Sequence, residues 1–165
     1  MPPMLPDNKS INIFMSNTHI GRSKWRKSIY QPHNPGKYKG SKFPVVRSEW
    51  ERRFARFLDF NASVLEWTSE EPAIPYLNPN TGTQWNYYPD FLIKIKTQTG
   101  IEVQLIEIKP KKQTFQPITE GKRQKTIIHE ALTWRMNTAK WAAARSYCES
   151  RGWKFKILTE DNLFG

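Results

Sequence analysis

The sequence contains a single cysteine, Cys148, in 165 residues. One cysteine excludes an intramolecular disulfide framework and is typical of a protein that works in a reducing compartment. No apolar run reaches the roughly 18 residues that a membrane-spanning helix needs. The first residues also lack the charged start and apolar stretch of a secretory signal. We therefore expect a soluble intracellular protein with no membrane partner.

Glycine and histidine are also scarce, with 8 and 3 residues. The glycines are isolated, so there is no glycine-rich loop to cradle the phosphates of a nucleotide. The histidines share no spacing with each other or with Cys148, whereas a structural zinc site needs four clustered ligands. The sequence therefore predicts neither an NTPase with a nucleotide cofactor nor a zinc protein.

Acidic residues are few, and the excess of basic residues is unevenly distributed. The formal net charge is +11, of which residues 1–47 carry +8 and the remaining 118 residues only +3. A basic arm on a nearly balanced body is typical of a protein that binds a polyanion, and DNA is the expected one. A solvated arm that only aids solubility remains the alternative. Residues 1–47 are rich in Pro, Asn, Ser and Lys without periodicity, so we predict a largely irregular arm at 1–47 and one domain at 48–165.

The domain has helical and strand-like patterns in a fixed order. Apolar spacing predicts a helix that begins at Ser48, where Ser48 and Glu51 match a capping box. Alternation and turn signals predict strands at Val64–Trp67, Ala73–Tyr76, Trp85–Ile95, Glu102–Ile108 and Trp153–Leu158. Before the last strand we expect two helices, Lys122–Met136 and Ala139–Arg151, which Asn137-Thr138 separates and Gly152 ends. This order predicts an α/β domain with a central mixed sheet, whose middle strands form an antiparallel meander.

One group of residues has the equipment for phosphodiester chemistry. Pro89-Asp90, placed mid-strand, is followed after sixteen intervening residues by Glu107-Ile108-Lys109. Because side chains alternate along a strand, Glu107 and Lys109 share a face, and pairing of the two strands brings Asp90 beside Glu107. Two carboxylates suit Mg²⁺, and a lysine can position water or offset phosphate charge. A solvated strand end is the alternative. Ile106 and Ile108 on the opposite face and the basic continuation after Lys109 favour the catalytic interpretation.

The string Pro89-Asp90…Glu107-x-Lys109 resembles the motif of the PD-(D/E)xK nuclease superfamily. Members of that superfamily add an acid on the first helix, and Glu51 occupies this place here in a Ser-x-x-Glu context. The resemblance implies a restriction-endonuclease-like fold, a central mixed sheet flanked by helices. It also implies that Glu51, Asp90, Glu107 and Lys109 are catalytic, with Asp90 and Glu107 as the metal ligands.

A resemblance that covers about residues 34–161 is more specific. The chain is similar to the head completion nucleases of tailed, contractile-tail bacteriophages. The strings that carry it are Asn34–Gly40, Arg47–Glu51, Ile74–Tyr76, Tyr87–Asp90, Ile106–Lys112, Thr133-Trp134 with Asn137 and Lys140-Trp141, Arg151-Gly152, and Phe155–Asp161.

This resemblance implies an Mg²⁺-dependent endo- or exodeoxyribonuclease, with Mn²⁺ as a substitute ion. It would act after DNA packaging, when a filled head is joined to its tail. The expected partners are DNA and proteins of the head-tail connector or neck. The expected locations are the host cytoplasm during assembly and the head-tail junction of the virion. The residues expected to bind DNA are Lys111, Lys112, Lys37, Lys39 and Arg47.

Two other functions fit the same residues. One is a TnsA-like endonuclease that cleaves transposon ends with a transposase partner. The other is a structural DNA-binding virion protein in which the site is vestigial. Metal-dependent turnover separates the second alternative from both enzymes.

Overall fold

The computed structural model describes residues 27–164. In this range, eight strands and three α-helices follow one another along the chain. In chain order they are β1 (Ser28–Ile29), β2 (Val45–Val46), α1 (Glu49–Phe60), β3 (Val64–Ser69), β4 (Ile74–Asn78), β5 (Thr83–Tyr87), β6 (Phe91–Thr97), β7 (Gly100–Ile108), α2 (Gln124–Glu149), β8 (Lys154–Leu158) and α3 (Glu160–Leu163). Short 3-10 helices at Pro35–Lys37 and Lys111–Thr114 complete the list. None of these helices is long and apolar enough to cross a bilayer.

The centre of the domain is a four-stranded mixed sheet with the strand order β3-β6-β7-β8. Strands β3, β6 and β7 pair antiparallel, whereas β8 runs parallel to β7. The parallel pair requires a crossover, and α2 supplies it between β7 and β8. This arrangement confirms the predicted α/β class and the central mixed sheet flanked by helices.

The two faces of this sheet bury different helices because side chains alternate along each strand. Helix α1 places Phe54, Phe57 and Leu58 in one core, together with Phe91 and Ile106 of the sheet. On the opposite face, a second core holds residues of α2, of β7 and of the β4–β5 hairpin: Ala144, Cys148, Leu105, Ile74, Tyr76 and Tyr87. Two adjacent residues of β7, Leu105 and Ile106, therefore lie in different cores, so both helix layers pack against the end of β7.

The predicted start of α1 is confirmed. Ser48 is the N-cap residue, and its hydroxyl accepts a hydrogen bond from the backbone N–H of Glu51 at 3.1 Å. The carboxylate of Glu51 accepts in turn from the backbone N–H of Arg47 at 2.8 Å, one residue earlier than in a standard capping box. The first turn of α1 is therefore held at the position where Glu51 projects from it.

The single strand predicted at Trp85–Ile95 is wrong, and so is the continuous meander. The segment forms two strands, β5 and β6, that belong to different sheets. Strand β5 pairs with β4 in a separate hairpin, and Asp90 lies in the break between β5 and β6. Pro89 explains the break, because proline has no N–H to donate to a ladder. Asp90 is therefore not mid-strand, but it lies at the point where the chain changes sheets.

The interruption predicted at Asn137-Thr138 is also wrong, because α2 runs unbroken from Gln124 to Glu149. The Thr138 hydroxyl donates to the carbonyl oxygens of Trp134 at 2.9 Å and Arg135 at 3.0 Å, which accommodates a polar residue within the helix. Asn137 is 7% exposed and packs into the domain. Burial of this face outweighs the weak helix propensity of both residues. Gly152, with φ of 68°, follows the helix end as predicted.

The described part of the predicted basic arm packs on the domain. Strand β1 pairs with β2, and Tyr30 and Val46 lie in the core under α1. Asp59 at the end of α1 anchors this segment, accepting hydrogen bonds from the Tyr30 hydroxyl at 2.8 Å and from the backbone N–H groups of His33 at 2.7 Å and Asn34 at 2.9 Å. Residues 1–26 of the predicted arm lie outside the described residues.

Candidate active site

Asp90 and Glu107 meet where β6 begins and β7 ends. The antiparallel register pairs Phe91 with Ile106, so the next step of the ladder places Asp90 opposite Glu107. The backbone N–H of Ile108 donates to Oδ2 of Asp90 at 2.7 Å and fixes this carboxylate. The spacing that predicted this pair therefore brings the two acids to one point of the sheet.

Glu107 is a buried carboxylate, 5% exposed, with two side-chain partners. The Lys109 ammonium Nζ lies 3.1 Å from its Oε1. The hydroxyl of Tyr87 donates to its Oε2. Glu107 and Lys109 thus share a face as predicted, whereas Tyr87 is a site residue that the sequence analysis missed. The sequence signals for Tyr87 are its position three residues before Asp90 and its place in the Tyr87–Asp90 string of the resemblance, and neither assigns it a role.

Glu51 approaches the same site from the N-terminus of α1. One carboxylate oxygen, Oε2, accepts from the backbone N–H of Arg47 at 2.8 Å, and Oε1 lies 3.3 Å from the Ser48 hydroxyl. Glu49, the other acid in this turn, points elsewhere and pairs with Arg52 at 2.9 Å and Arg53 at 3.2 Å. The structure therefore places Glu51 and not Glu49 with the strand acids.

The crowding of carboxylates changes their ionisation. Burial raises the pKa of Asp90 well above its usual value, and the charges of Glu107 and Glu51 raise it further. Burial also raises the pKa of Glu51, and Glu107 adds to the effect. Although burial alone would lower the pKa of Lys109, the charges of Glu107 and Asp90 outweigh it and raise the pKa. A cluster of this kind costs stability until a cation neutralises it.

The donor set fits a hard divalent cation held largely by water and substrate. Among residues 27–164, no three His, Cys, Asp or Glu side chains lie close enough to enclose a metal ion. Mg²⁺ typically takes only one or two carboxylates and fills its other positions with water and phosphate oxygens. The oxygen pair of Asp90 and Glu107 at the end of a buried strand satisfies that requirement.

The basic residues expected to bind DNA fall into two groups. Lys111 and Lys112 lie in the 3-10 helix just after β7, beside the site, and both are exposed. The Lys111 ammonium pairs with Asp161 at 2.6 Å, an exposed ion pair that a phosphate can replace at little cost. Arg47 is next to Glu51 in space, and its guanidinium pairs with Glu70.

Lys37 lies away from this site, at the opposite end of α1 from Glu51. The Lys37 ammonium donates to the carbonyl oxygens of Leu58 at 2.7 Å, Asp59 at 3.0 Å and Asn61 at 2.8 Å. All three of its N–H donors thus cap the C-terminus of α1, about 12 Å along the helix from Glu51. This geometry favours a structural role for Lys37, whereas Lys39 is exposed and free to meet a phosphate.

Two comparisons match this chain to known proteins. Residues 61–160 match the family described as TnsA-like endonuclease N terminal. The matched range contains Asp90, Glu107 and Lys109, but it begins after α1 and so omits Glu51. The chain is also 42% identical over 137 residues to the head completion nuclease of Enterobacteria phage T4, a match that covers 80% of this chain and 89% of the relative.

Proposed function

This chain belongs to the TnsA-like endonuclease family, and on that premise we propose that it is a divalent-metal-dependent deoxyribonuclease of phage head completion. The observation that carries the proposal is the meeting of Asp90, Glu107, Lys109 and Glu51 at one end of the central sheet. Three carboxylates are gathered there around one lysine, and hydrogen bonds and an ion pair hold these groups in place. The likeness to a head completion nuclease adds the biological setting.

In this proposal Asp90 and Glu107 hold Mg²⁺, with Mn²⁺ as a substitute. Bound there, the ion would polarise the scissile phosphate and lower the pKa of an attacking water. The Ile108 N–H keeps one oxygen of Asp90 occupied and so orients the other toward the site. The Tyr87 hydroxyl donates to Oε2 of Glu107 and orients that carboxylate in the same way. These second contacts fix the ligand geometry that metal binding needs.

Lys109 acts on the water and on the phosphate charge. Its raised pKa keeps the side chain an ammonium, which donates protons to hydrogen bonds but does not accept one. As an ammonium it orients the attacking water and offsets the charge that develops on the phosphate. Glu51, whose pKa burial raises, is the carboxylate available to assist from the helix side.

The setting of the proposal is the late stage of phage head assembly. Lys111 and Lys112 hold the DNA backbone next to the site, and the connector or neck proteins are the proposed protein partners. The proposed locations are the host cytoplasm during assembly and then the head-tail junction. The family match also keeps the transposon-end endonuclease as a second candidate, since the matched family is described as TnsA-like. A stable transposase partner and cleavage at one defined end would mark that candidate.

The test is incubation of purified protein with linear and with circular DNA, in Mg²⁺, in Mn²⁺ or in EDTA. We expect cleavage with either ion and none in EDTA, without a partner protein. Equal cleavage in EDTA would remove the metal mechanism. The absence of cleavage under every condition would favour the structural virion protein with a vestigial site.

A further inference from the structure

Lys140 is a half-buried cation of α2 that the proposed mechanism does not use. Its ammonium Nζ lies 5.9 Å from the ring centroid of Tyr76 on β4 and 5.9 Å from that of Tyr87 on β5. The Tyr87 hydroxyl in turn donates to Glu107. Lys140 therefore forms the helix-side wall of the candidate active site, one ring away from a catalytic carboxylate.

The surroundings of Lys140 do not neutralise it. Within residues 27–164 no carboxylate oxygen lies within 4.0 Å of its ammonium, whereas Lys109 and Lys111 each have one. Burial lowers the pKa of Lys140, and the charge of Lys109 lowers it further, against the opposing pull of Glu107 and Asp90. Two aromatic rings compensate only part of the lost hydration of an ammonium.

A residue that Lys140 faces and the next residue of α2 each carry a buried polar atom without a partner in the described part of the chain. Neither the Tyr76 hydroxyl nor the indole N–H of the neighbouring Trp141 has a hydrogen-bond partner in the described part of the chain, and both atoms are buried. Tyr76 is 5% exposed and Trp141 is 4% exposed. Buried donors are normally paired, so the unpaired hydroxyl of Tyr76, whose ring faces the Lys140 ammonium, is consistent with a bound group that supplies acceptors.

The substrate of the proposed nuclease has such acceptors. Three carboxylates at the site repel a polyanion, and the nearest ammonium, that of Lys109, is already paired with Glu107. A phosphate entering beside Asp90 and Glu107 therefore needs a cation that those acids do not occupy. Lys140 meets this condition. A phosphate oxygen would accept a hydrogen bond from its ammonium and so replace the water that burial removes.

We propose that Lys140 binds a backbone phosphate of the DNA at or next to the scissile bond, on the wall of the site opposite α1. The inference rests on the proposed nuclease function and assigns the phosphate a second contact besides Lys109. Because the contact is made to phosphate, it carries no information about base sequence.

The experiment compares Lys140→Met, Lys140→Gln and Lys140→Arg with Lys125→Met, an exposed lysine of the same helix. DNA affinity is measured in EDTA over a range of salt concentrations, and cleavage is measured at a single turnover in Mg²⁺. We expect Lys140→Met and Lys140→Gln to reduce the slope of log affinity against log salt by about 0.9 for duplex DNA, the value of one lost phosphate contact. We also expect them to slow cleavage by roughly 10²-fold, as loss of one transition-state donor does.

Lys140→Arg keeps the charge and should keep most of the slope and the rate. If Lys140→Met and Lys140→Gln match Lys125→Met in slope and rate, the proposal is wrong. If Lys140→Arg loses as much as the uncharged variants, packing of the lysine stem and not its charge is responsible, which also overturns the proposal. Failure of the wild-type protein to cleave would instead remove the proposed function, while the salt slope in EDTA still decides whether Lys140 contacts phosphate.

Discussion

At the scale of single residues, the same residue type performs different tasks in this protein, and the backbone decides which. Lys109 follows the end of β7, lies on the same face as Glu107 and forms an ion pair with it. Lys37 comes from a 3-10 turn and reaches three carbonyl oxygens at the end of α1. Lys39, two residues later, is exposed. Charge alone therefore does not identify a DNA contact.

The pair Lys37 and Lys39 gives a matched test of this distinction. Lys37→Met leaves three carbonyl groups at a helix end without their donor, so we expect a loss of about 1.5–3 kcal/mol in the free energy of unfolding. Lys39→Met should change stability by no more than about 0.5 kcal/mol. Urea unfolding measures both values. Equal stability of the two variants would contradict the capping role, and a reduced salt slope of DNA binding in Lys37→Met would restore it as a DNA contact.

At the scale of elements, α1 connects the site to the N-terminal segment. Its first turn presents Glu51 to the strand acids, and its last turn carries Asp59, a carboxylate that is 1% exposed. A negative charge at a helix C-terminus is unfavourable by itself. Hydrogen bonds from the backbone of His33 and Asn34 and from the Tyr30 hydroxyl offset this cost. The helix is thereby fixed at both ends, which holds Glu51 in register with the sheet.

We expect Asp59→Asn to destabilise the protein by about 2–4 kcal/mol at neutral pH. Both carboxylate oxygens of Asp59 accept hydrogen bonds, and the amide NH₂ of asparagine would place its own N–H donors against those N–H and O–H groups. Burial raises the pKa of Asp59, but the hydrogen bonds outweigh burial and hold it below its usual value. A depressed pKa means that this stabilisation is complete above the unfolded pKa of about 3.9 and is lost as the pH falls through the folded value.

Urea unfolding of wild type and Asp59→Asn from pH 7 to pH 3 measures this effect, with the exposed Glu149→Gln as the charge control. The difference between wild type and Asp59→Asn should stay constant down to about pH 4 and shrink below it. A difference that is absent at pH 7, or that grows on acidification, would contradict the anchoring role of Asp59.

At the scale of the whole molecule, the chain has a formal net charge of +11, whereas the side chains of the site are mostly acidic. Residues 1–26 contribute four basic residues and one acid. Residues 28–46, by contrast, contribute Tyr30 and Val46 to the core. A deletion that tests the role of the N-terminal charge therefore has to stop at residue 26.

We expect deletion of residues 1–26 to leave the melting midpoint near that of the full chain. It should flatten the slope of log DNA affinity against log salt by about 2–3 units if most of the four basic residues contact phosphate. Salt titrations of both proteins in EDTA measure the slope. An unchanged slope would show that these residues do not contact the phosphates of DNA.

The site could be predicted from the sequence where local rules govern it. Strand alternation and the sixteen-residue spacing place Glu107 and Lys109 with Asp90, and the Ser48 cap places Glu51 at a helix start. Contacts between distant segments have no such local signal. The carbonyl capping by Lys37 and the bond from Tyr87 to Glu107 both depend on the tertiary fold. Helix α2 continues through Asn137 because tertiary packing overrides the low helix propensity of asparagine, and the local sequence pattern gives no information about that packing.

The central claim is that Asp90 and its neighbours carry out the cleavage of DNA. The most direct measurement is single-turnover cleavage by Asp90→Asn in Mg²⁺, beside wild type and the charge control Glu149→Gln, with melting curves and DNA affinity recorded for each protein. We predict at least a roughly 10³-fold loss of rate in Asp90→Asn, about 4 kcal/mol of transition-state stabilisation, with folding and DNA binding retained. Cleavage by Asp90→Asn within about tenfold of wild type, at equal folding and binding, would contradict the account.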